Sequence, residues 1–248
     1  MLALAAIVAT KAAAADDDGI TPYRPSVSSP AQLPLPGQLE MEIGGLHASD
    51  DGARRDSLPY QFKLAFSKEW GLLLGGEAFV TARDSGNREH GAGDTVVTLK
   101  RAFLVDDSTA FGLELGVKLP TARDTIGSGK TDTTLNGIFS KDFGKVHMDA
   151  NLNFARLGAI EANTGRVQTG MSASFSLPVA EQWGATAELS GTHRSGTLNT
   201  SQFLTAMAYS PSKKLTIDFG LAKGLTHASS SLSVFTGLVF PLASFWHS

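Results

Sequence analysis

Thr109–Leu119 reads TAFGLELGVKL, and Val146–Phe154 reads VHMDANLNF. In the first stretch Phe111, Leu113, Leu115, Val117 and Leu119 alternate with Gly112, Glu114, Gly116 and Lys118. In the second, Val146, Met148, Ala150, Leu152 and Phe154 alternate with His147, Asp149, Asn151 and Asn153. Successive side chains of a strand point to opposite faces, so each stretch has one apolar face and one carrying amides and charges. A soluble sandwich would bury the apolar face. A transmembrane barrel turns it to lipid and keeps the polar face for its lumen.

Working outward, the same period recurs. Candidate strands run over Gln38–Gly45, Pro59–Ser67, Gly71–Ala82, Thr95–Val105, Thr109–Leu119, Thr133–Lys141, Lys145–Ala155, Arg166–Leu177, Trp183–Thr192, Ser201–Tyr209, Leu215–Ala222 and Leu232–Phe240. Their lengths are near the ~9–11 residues that a tilted membrane strand needs. The connections sort by length. Short ones fall at Lys68–Trp70, Asp106–Ser108, Phe143–Gly144, Val179–Gln182 and Ser210–Lys214. Long ones fall at His47–Leu58, Arg83–Asp94, Pro120–Asp132 and Arg156–Gly165, and near Arg194 and Ala228. Aromatics such as Phe66, Trp70, Phe111, Phe143, Trp183 and Tyr209 gather beside the short turns, as interfacial girdles do. The expected fold is all-β: an antiparallel, up-and-down transmembrane barrel of about 12 strands.

Some positions break the alternation. Leu73, Phe79 and Phe235 fall on polar faces, and Arg101 falls on an apolar one. The last strand is expected to close at Phe240, with Pro241–Ser248 following it, unless Phe245-Trp246 extends the strand past a bulge.

The inward faces supply the candidate site. Lys63, Glu77, Lys100, Glu114, Lys118, His147, Asp149, Asn151, Glu188 and Asp218 are expected to line the lumen. A turn centred near Trp70 would set Lys63 opposite Glu77, and one about Asp107 would set Lys100 opposite Glu114. Two Lys–Glu pairs of this kind would hold the lumen near neutrality.

The remaining chain divides at residues 15 and 37. Residues 1–15 are apolar and Ala-ended ahead of Asp16–Asp18, like the core and cleavage site of a secretory signal. The basic start of such a signal is missing, so either the true start is expected upstream of Met1 or the segment is clipped. Residues 16–37 hold Pro22, Pro25, Pro30, Pro34 and Pro36, and form a periplasmic tail or a lumen plug. Residues 38–248 form the barrel.

With a net charge of −3 over 248 residues, the chain has no basic footprint, and nucleic acid is not an expected partner. Mean hydropathy near zero suits a barrel whose strands are half polar. Cysteine is absent, so thiolate metal sites are excluded. The six histidines are scattered without ligand spacing, so neither metal nor cofactor is expected. Gly127–Thr131 ends like a phosphate-binding loop, but Asp124 stands where the first glycine belongs. His193, Ser195 and Asn199 share one loop without hydrolase spacing, and no catalytic group is assigned. A membrane-embedded lipid hydrolase and a non-conducting surface barrel stay open as alternatives.

Gly93-Asp94 opening one strand, Lys118-Leu119-Pro120-Thr121 ending the next, the Gly127–Asp132 loop and Met148–Leu152 follow one another in order. This run resembles the outer-membrane barrel family named for the meta-cleavage pathway of phenol degradation. The resemblance implies a bacterial outer-membrane barrel that passes small, aromatic or hydrophobic molecules. It further implies outer-membrane lipid and the barrel-assembly machinery as partners.

Overall fold

The computed structural model describes residues 19–50, 52–84 and 86–246. The leader reading of residues 1–15 lies outside the described residues. Thirteen strands follow one another: β1 (Gln38–Asp50), β2 (Ala53–Ala65), β3 (Trp70–Asp84), β4 (Asn87–Gly91), β5 (Thr95–Asp106), β6 (Thr109–Leu119), β7 (Asp132–Phe143), β8 (Val146–Arg156), β9 (Val167–Ala180), β10 (Trp183–Arg194), β11 (Thr200–Ser212), β12 (Leu215–Gly224) and β13 (Leu232–Ser244). Each pairs antiparallel with its neighbours, and β1 pairs with β13 to close the ring. Twelve strands make the barrel, and β4 folds back onto the end of β3 outside it. Closure satisfies every edge of the ring internally, the condition for a sheet to stand in hydrocarbon.

The apolar face points outward. Leu113, Leu115, Phe154, Met171, Phe175, Leu189, Phe203, Phe219 and Leu221 are all exposed. Charged side chains take the inside: Lys63, Lys100, Glu40 and Glu188 are the largest fully buried side chains, and Asp218 is fully buried too. A water-soluble protein distributes these residues the other way round. Lipid is the solvent such an exterior requires.

Three features depart from the sequence reading, each for a local reason. His47–Leu58 is not a loop. β1 and β2 continue through it and turn at Gly52, whose φ of 86° suits a residue without Cβ. Likewise, Arg83–Asp94 carries β4. β13 runs on past Phe240 to Ser244, and a register shift at Leu39/Glu40 absorbs Pro241. Such a bulge accommodates a residue that cannot donate to the ladder.

The misfit residues find their places too. Opposite β2, the register passes from Pro59↔Glu77 to Ser57↔Val80, so β3 carries one extra residue there. The bulge flips Phe79 to the outer surface and turns Val80 inward. Leu73 does face inward, where it is buried. Phe235 is also buried inside, in a small apolar cluster with Leu204, Ala206 and Ala222. Arg101 stays on the outer face but lies over Trp70 and Phe103, with its Nη2 3.6 Å from Glu69 in the short turn. Its charge reaches the rim along two aromatic faces.

Candidate functional site

The lumen is the site, and its wall is built by strand alternation. Among the described residues its buried charged side chains are Glu40, Glu42, Glu114, Asp149, Glu188 and Asp218 against Lys63 and Lys100. That is six carboxylates against two lysines, a formal surplus of four negative charges. Hydroxyls and amides, among them those of Ser140, Asn136, Asn151, Ser174 and Ser190, are buried as well.

The pairing of these charges corrects one expectation. Lys63 stands opposite Leu73, and Glu77 opposite Pro59, because the β2–β3 turn is centred two residues earlier than Trp70. Lys63 instead reaches β1, its Nζ 2.6 Å from Glu42 Oε1 and 3.0 Å from Glu40 Oε2. Glu77 binds Arg55, 2.5 Å away. Lys100 does stand opposite Glu114, with Nζ 3.1 Å from Oε1. Glu114 also accepts a hydrogen bond from Asn136 Nδ2 at 2.9 Å.

Lys118 bridges Asp94 and Asp132, at 3.1 and 3.0 Å, at the long-loop end. Partial burial pushes the Asp94 carboxyl up, but the Ala122 N–H and the Lys118 ammonium outweigh it and hold the group below its usual range. Towards the short-turn end, His147 Nδ1 is 2.6 Å from Asp142 and Nε2 is 3.1 Å from Asp149.

The tail threads this wall. Ile20 donates to the Lys213 carbonyl in the short β11–β12 turn, and Pro36 bridges to Ala65 at the end of β2. Both anchor points are at the short-turn end, so the segment between them goes in and comes back. Six of its backbone N–H groups between Thr21 and Ala31 find a side-chain acceptor on the wall. Thr21 N–H donates to Glu40 at 3.0 Å, and Tyr23 N–H to Glu42 at 2.7 Å. Val27 and Ser28 both donate to Glu188 Oε2 at 2.9 Å. Ser29 N–H donates to Asn151 Oδ1 at 2.8 Å, and the Ser29 carbonyl accepts from Asn151 Nδ2 at 2.9 Å. Ala31 N–H donates to Ser140 Oγ at 2.8 Å, and its body packs on Ala110 and Ile138.

Two tail side chains add charge recognition. Two ammonium groups lie over the Tyr23 ring, Lys63 Nζ 4.4 Å and Lys100 Nζ 4.1 Å from its centroid. Lys100 Nζ also donates to the Pro30 carbonyl at 2.5 Å. Arg24 meets Asp218 with both oxygens, at 2.9 and 3.0 Å. Beside the tail a cavity of about 210 Å³ remains, lined by Tyr23, Arg24, Ser26, His147, Asp149, Ser174, Ser176 and Thr186.

Sequence reasoning missed Glu40 and Glu42, although they alternate with Met41 and Ile43 and carry the same period-two signal. It also missed Tyr23 and Arg24. No periodicity marks them, since they lie in an irregular segment.

The loop trio sits at the long-loop rim. His193 Nδ1 is 2.7 Å from Asn199 Oδ1, while the Ser195 carbonyl accepts from the Gly165 N–H at 2.7 Å.

No protein-family model matches the chain, and no curated protein matches it. Solved structures do. The chain is similar to the COG4313 outer membrane channel from Pseudomonas putida F1, with 15% identity over 85% of this chain and 97% of that one, and a TM-score of 0.67. It is similar to the NanC porin, with 10% identity, 82% and 100% coverage and a TM-score of 0.60. It is also similar to the KdgM porin, with 10% identity, 82% and 99% coverage and a TM-score of 0.54. At these identities the likeness is one of fold, and the fold is that of outer-membrane channels and porins.

Proposed function

We propose that the protein is a bacterial outer-membrane channel for small hydrophilic solutes, held closed by its own N-terminal segment. One observation carries this reading. A ring of inward carboxylates and amides binds the backbone of residues 21–31, and an apolar exterior surrounds that ring. Outer-membrane lipid is the solvent of that exterior, and the barrel-assembly machinery is the route by which such a barrel is inserted. Membership of the meta-cleavage family is supported by the ordered motifs from Gly93 to Leu152. The wall favours a solute class other than aromatic hydrocarbons. Its acidic surplus attracts cations and opposes anions, and it presents few apolar surfaces. The His193 loop adds no support for an enzymatic reading: Asn199 holds His193 Nδ1, but among the described residues no hydrogen bond joins the imidazole to Ser195.

Planar-bilayer recording tests the reading directly. The full chain is expected to conduct little. A variant lacking residues 16–37 is expected to open a steady, cation-preferring pore. A truncated barrel that assembles yet stays silent, or prefers anions, would overturn it.

A further inference from the structure

We propose that the slot holding Arg24 is a guanidinium-binding site of the barrel wall, available to small guanidinium-bearing cations whenever the Arg24 side chain is out of it.

The slot is built from three register partners in a row. Asp218 on β12 pairs with Gly237 on β13, which pairs with Gly44 on β1. Asp218 has no solvent-exposed surface, and its two oxygens take Arg24 Nε and Nη2 side by side. That fork geometry is planar and bidentate; an ammonium or a neutral amide cannot reproduce it. The two glycines form the floor. A Cβ on Gly44 would stand 2.9 Å from the guanidinium carbon, and one on Gly237 would collide with Nε. Any other residue at either position would fill the space in which the planar group lies, so the close approach requires glycine. Phe235 completes the slot, its ring centroid 6.0 Å from the Arg24 guanidinium carbon.

The recognition elements all belong to the barrel, whereas the occupant belongs to the tail. Arg24 is the sole charged residue between Gly19 and Gly37. The other tail contacts with the wall use mostly backbone groups, which any displaced segment could release into water. Only at Asp218 does the wall present a shape and charge specific to one functional group. The inference names a solute class for the proposed channel. It rests on that reading for transport, though not for the binding itself.

The test is equilibrium binding of methylguanidinium chloride to the purified, detergent-solubilised full chain carrying Arg24→Ala, with methylammonium and urea as controls. Barrel assembly is checked by heat-modifiable gel mobility. Saturable one-to-one binding in the millimolar range is expected, at least tenfold weaker for methylammonium and undetectable for urea. The unsubstituted chain should bind at least tenfold more weakly, since its slot is filled, and adding Asp218→Asn to Arg24→Ala should abolish binding. No saturation by folded Arg24→Ala, binding that survives Asp218→Asn, or equal binding of methylammonium would overturn the proposal. If Arg24→Ala does not assemble, the unsubstituted chain serves in bilayers. There, methylguanidinium at tens of millimolar should lengthen open events relative to methylammonium at equal ionic strength, and equal lifetimes would overturn it. If binding fails while removal of residues 16–37 still opens the pore, the slot is wrong and the channel reading stands. Binding without any opening shows the reverse.

Discussion

Replacing Tyr23 with leucine tests how the tail is held. The buried ring carries Lys63 Nζ and Lys100 Nζ at 4.4 and 4.1 Å from its centroid, and its hydroxyl donates to the Gln32 carbonyl at 2.8 Å. Cation–π contacts out of water are worth roughly 1–2 kcal/mol each. Leucine keeps an apolar body there but removes both cation–π contacts and the hydrogen bond to Gln32. The carboxylate partners of the two lysines, Glu40, Glu42 and Glu114, stay in place. With the hydrogen bond at about 1 kcal/mol the loss is about 3–5 kcal/mol, or roughly 100- to 4,000-fold in the ratio of tail-in to tail-out states at ~1.4 kcal/mol per decade. Tyr23→Phe separates the two effects. It keeps the ring and gives up one hydrogen bond worth about 1 kcal/mol, so it should move the ratio only about fivefold. Single-channel open occupancy reads the ratio. If Tyr23→Leu opens no more often than Tyr23→Phe, the ring is not what retains the segment.

Other perturbations reach different parts of the molecule. Glu114→Gln leaves Lys100 without its 3.1 Å partner, so the reversal potential of the open pore in a salt gradient should shift towards anions. Glu77→Gln, whose partner Arg55 is partly exposed, should shift it less. Leu115→Arg places a charge on the outer face in the middle of β6 and should cost ~2–4 kcal/mol in folding from urea into lipid vesicles. An unchanged midpoint would mean that this face does not meet hydrocarbon. The Asp94 carboxyl is held below its ordinary range, so its contribution is full above the unfolded value of about 3.9 and is lost as pH falls through the lower folded value. Hydrogen exchange at the Ala122 amide, which donates to Asp94 at 3.0 Å, should stay protected from neutral pH to about 5 and lose that protection only below about 4.

The barrel was legible because period two is a local signal. Phe111–Leu119 and Val146–Phe154 each show it within one strand, and the sorting of turn lengths needs no three-dimensional knowledge. What failed was phase. The extra residue in β3 between Glu77 and Val80 reverses the inside and outside of everything beyond it, so Phe79 looked misplaced when it was not. The turn after β2 closes through Phe66 and Trp70, with Phe66 N–H donating to the Trp70 carbonyl at 3.0 Å. Centring it two residues late displaced Glu77 from Lys63 by four positions. Lys100 and Glu114 survived because the Asp106–Thr109 turn is anchored by its own chemistry, Asp106 accepting from the Ser108 N–H at 2.8 Å. The tail was illegible for another reason. Its wall contacts are made chiefly by N–H groups that every residue except proline has, so composition could reveal its lack of strand structure but not its binding partners.

That mode of binding explains the acids of the wall. Four of the six buried carboxylates serve the tail: Glu40 and Glu42 take the Thr21 and Tyr23 amides, Glu188 takes those of Val27 and Ser28, and Asp218 takes Arg24. An ionised carboxylate is the strongest acceptor a side chain offers to a backbone N–H, which accounts for acids here without invoking a solute. Glu114 and Asp149 are different. Their partners are wall groups, Lys100 and Asn136 for one, Ser140 and His147 for the other. Asp149 and His147 also line the space left beside the tail. Release of the segment would therefore do two things at once. It would clear the lumen, and it would strip four buried carboxylates of their tail donors, leaving Glu40 and Glu42 with Lys63 but Asp218 without its guanidinium. Water and mobile cations must then replace those donors, because bare carboxylates in a narrow, low-dielectric passage are costly. Opening and cation preference are in this way one property of the wall rather than two.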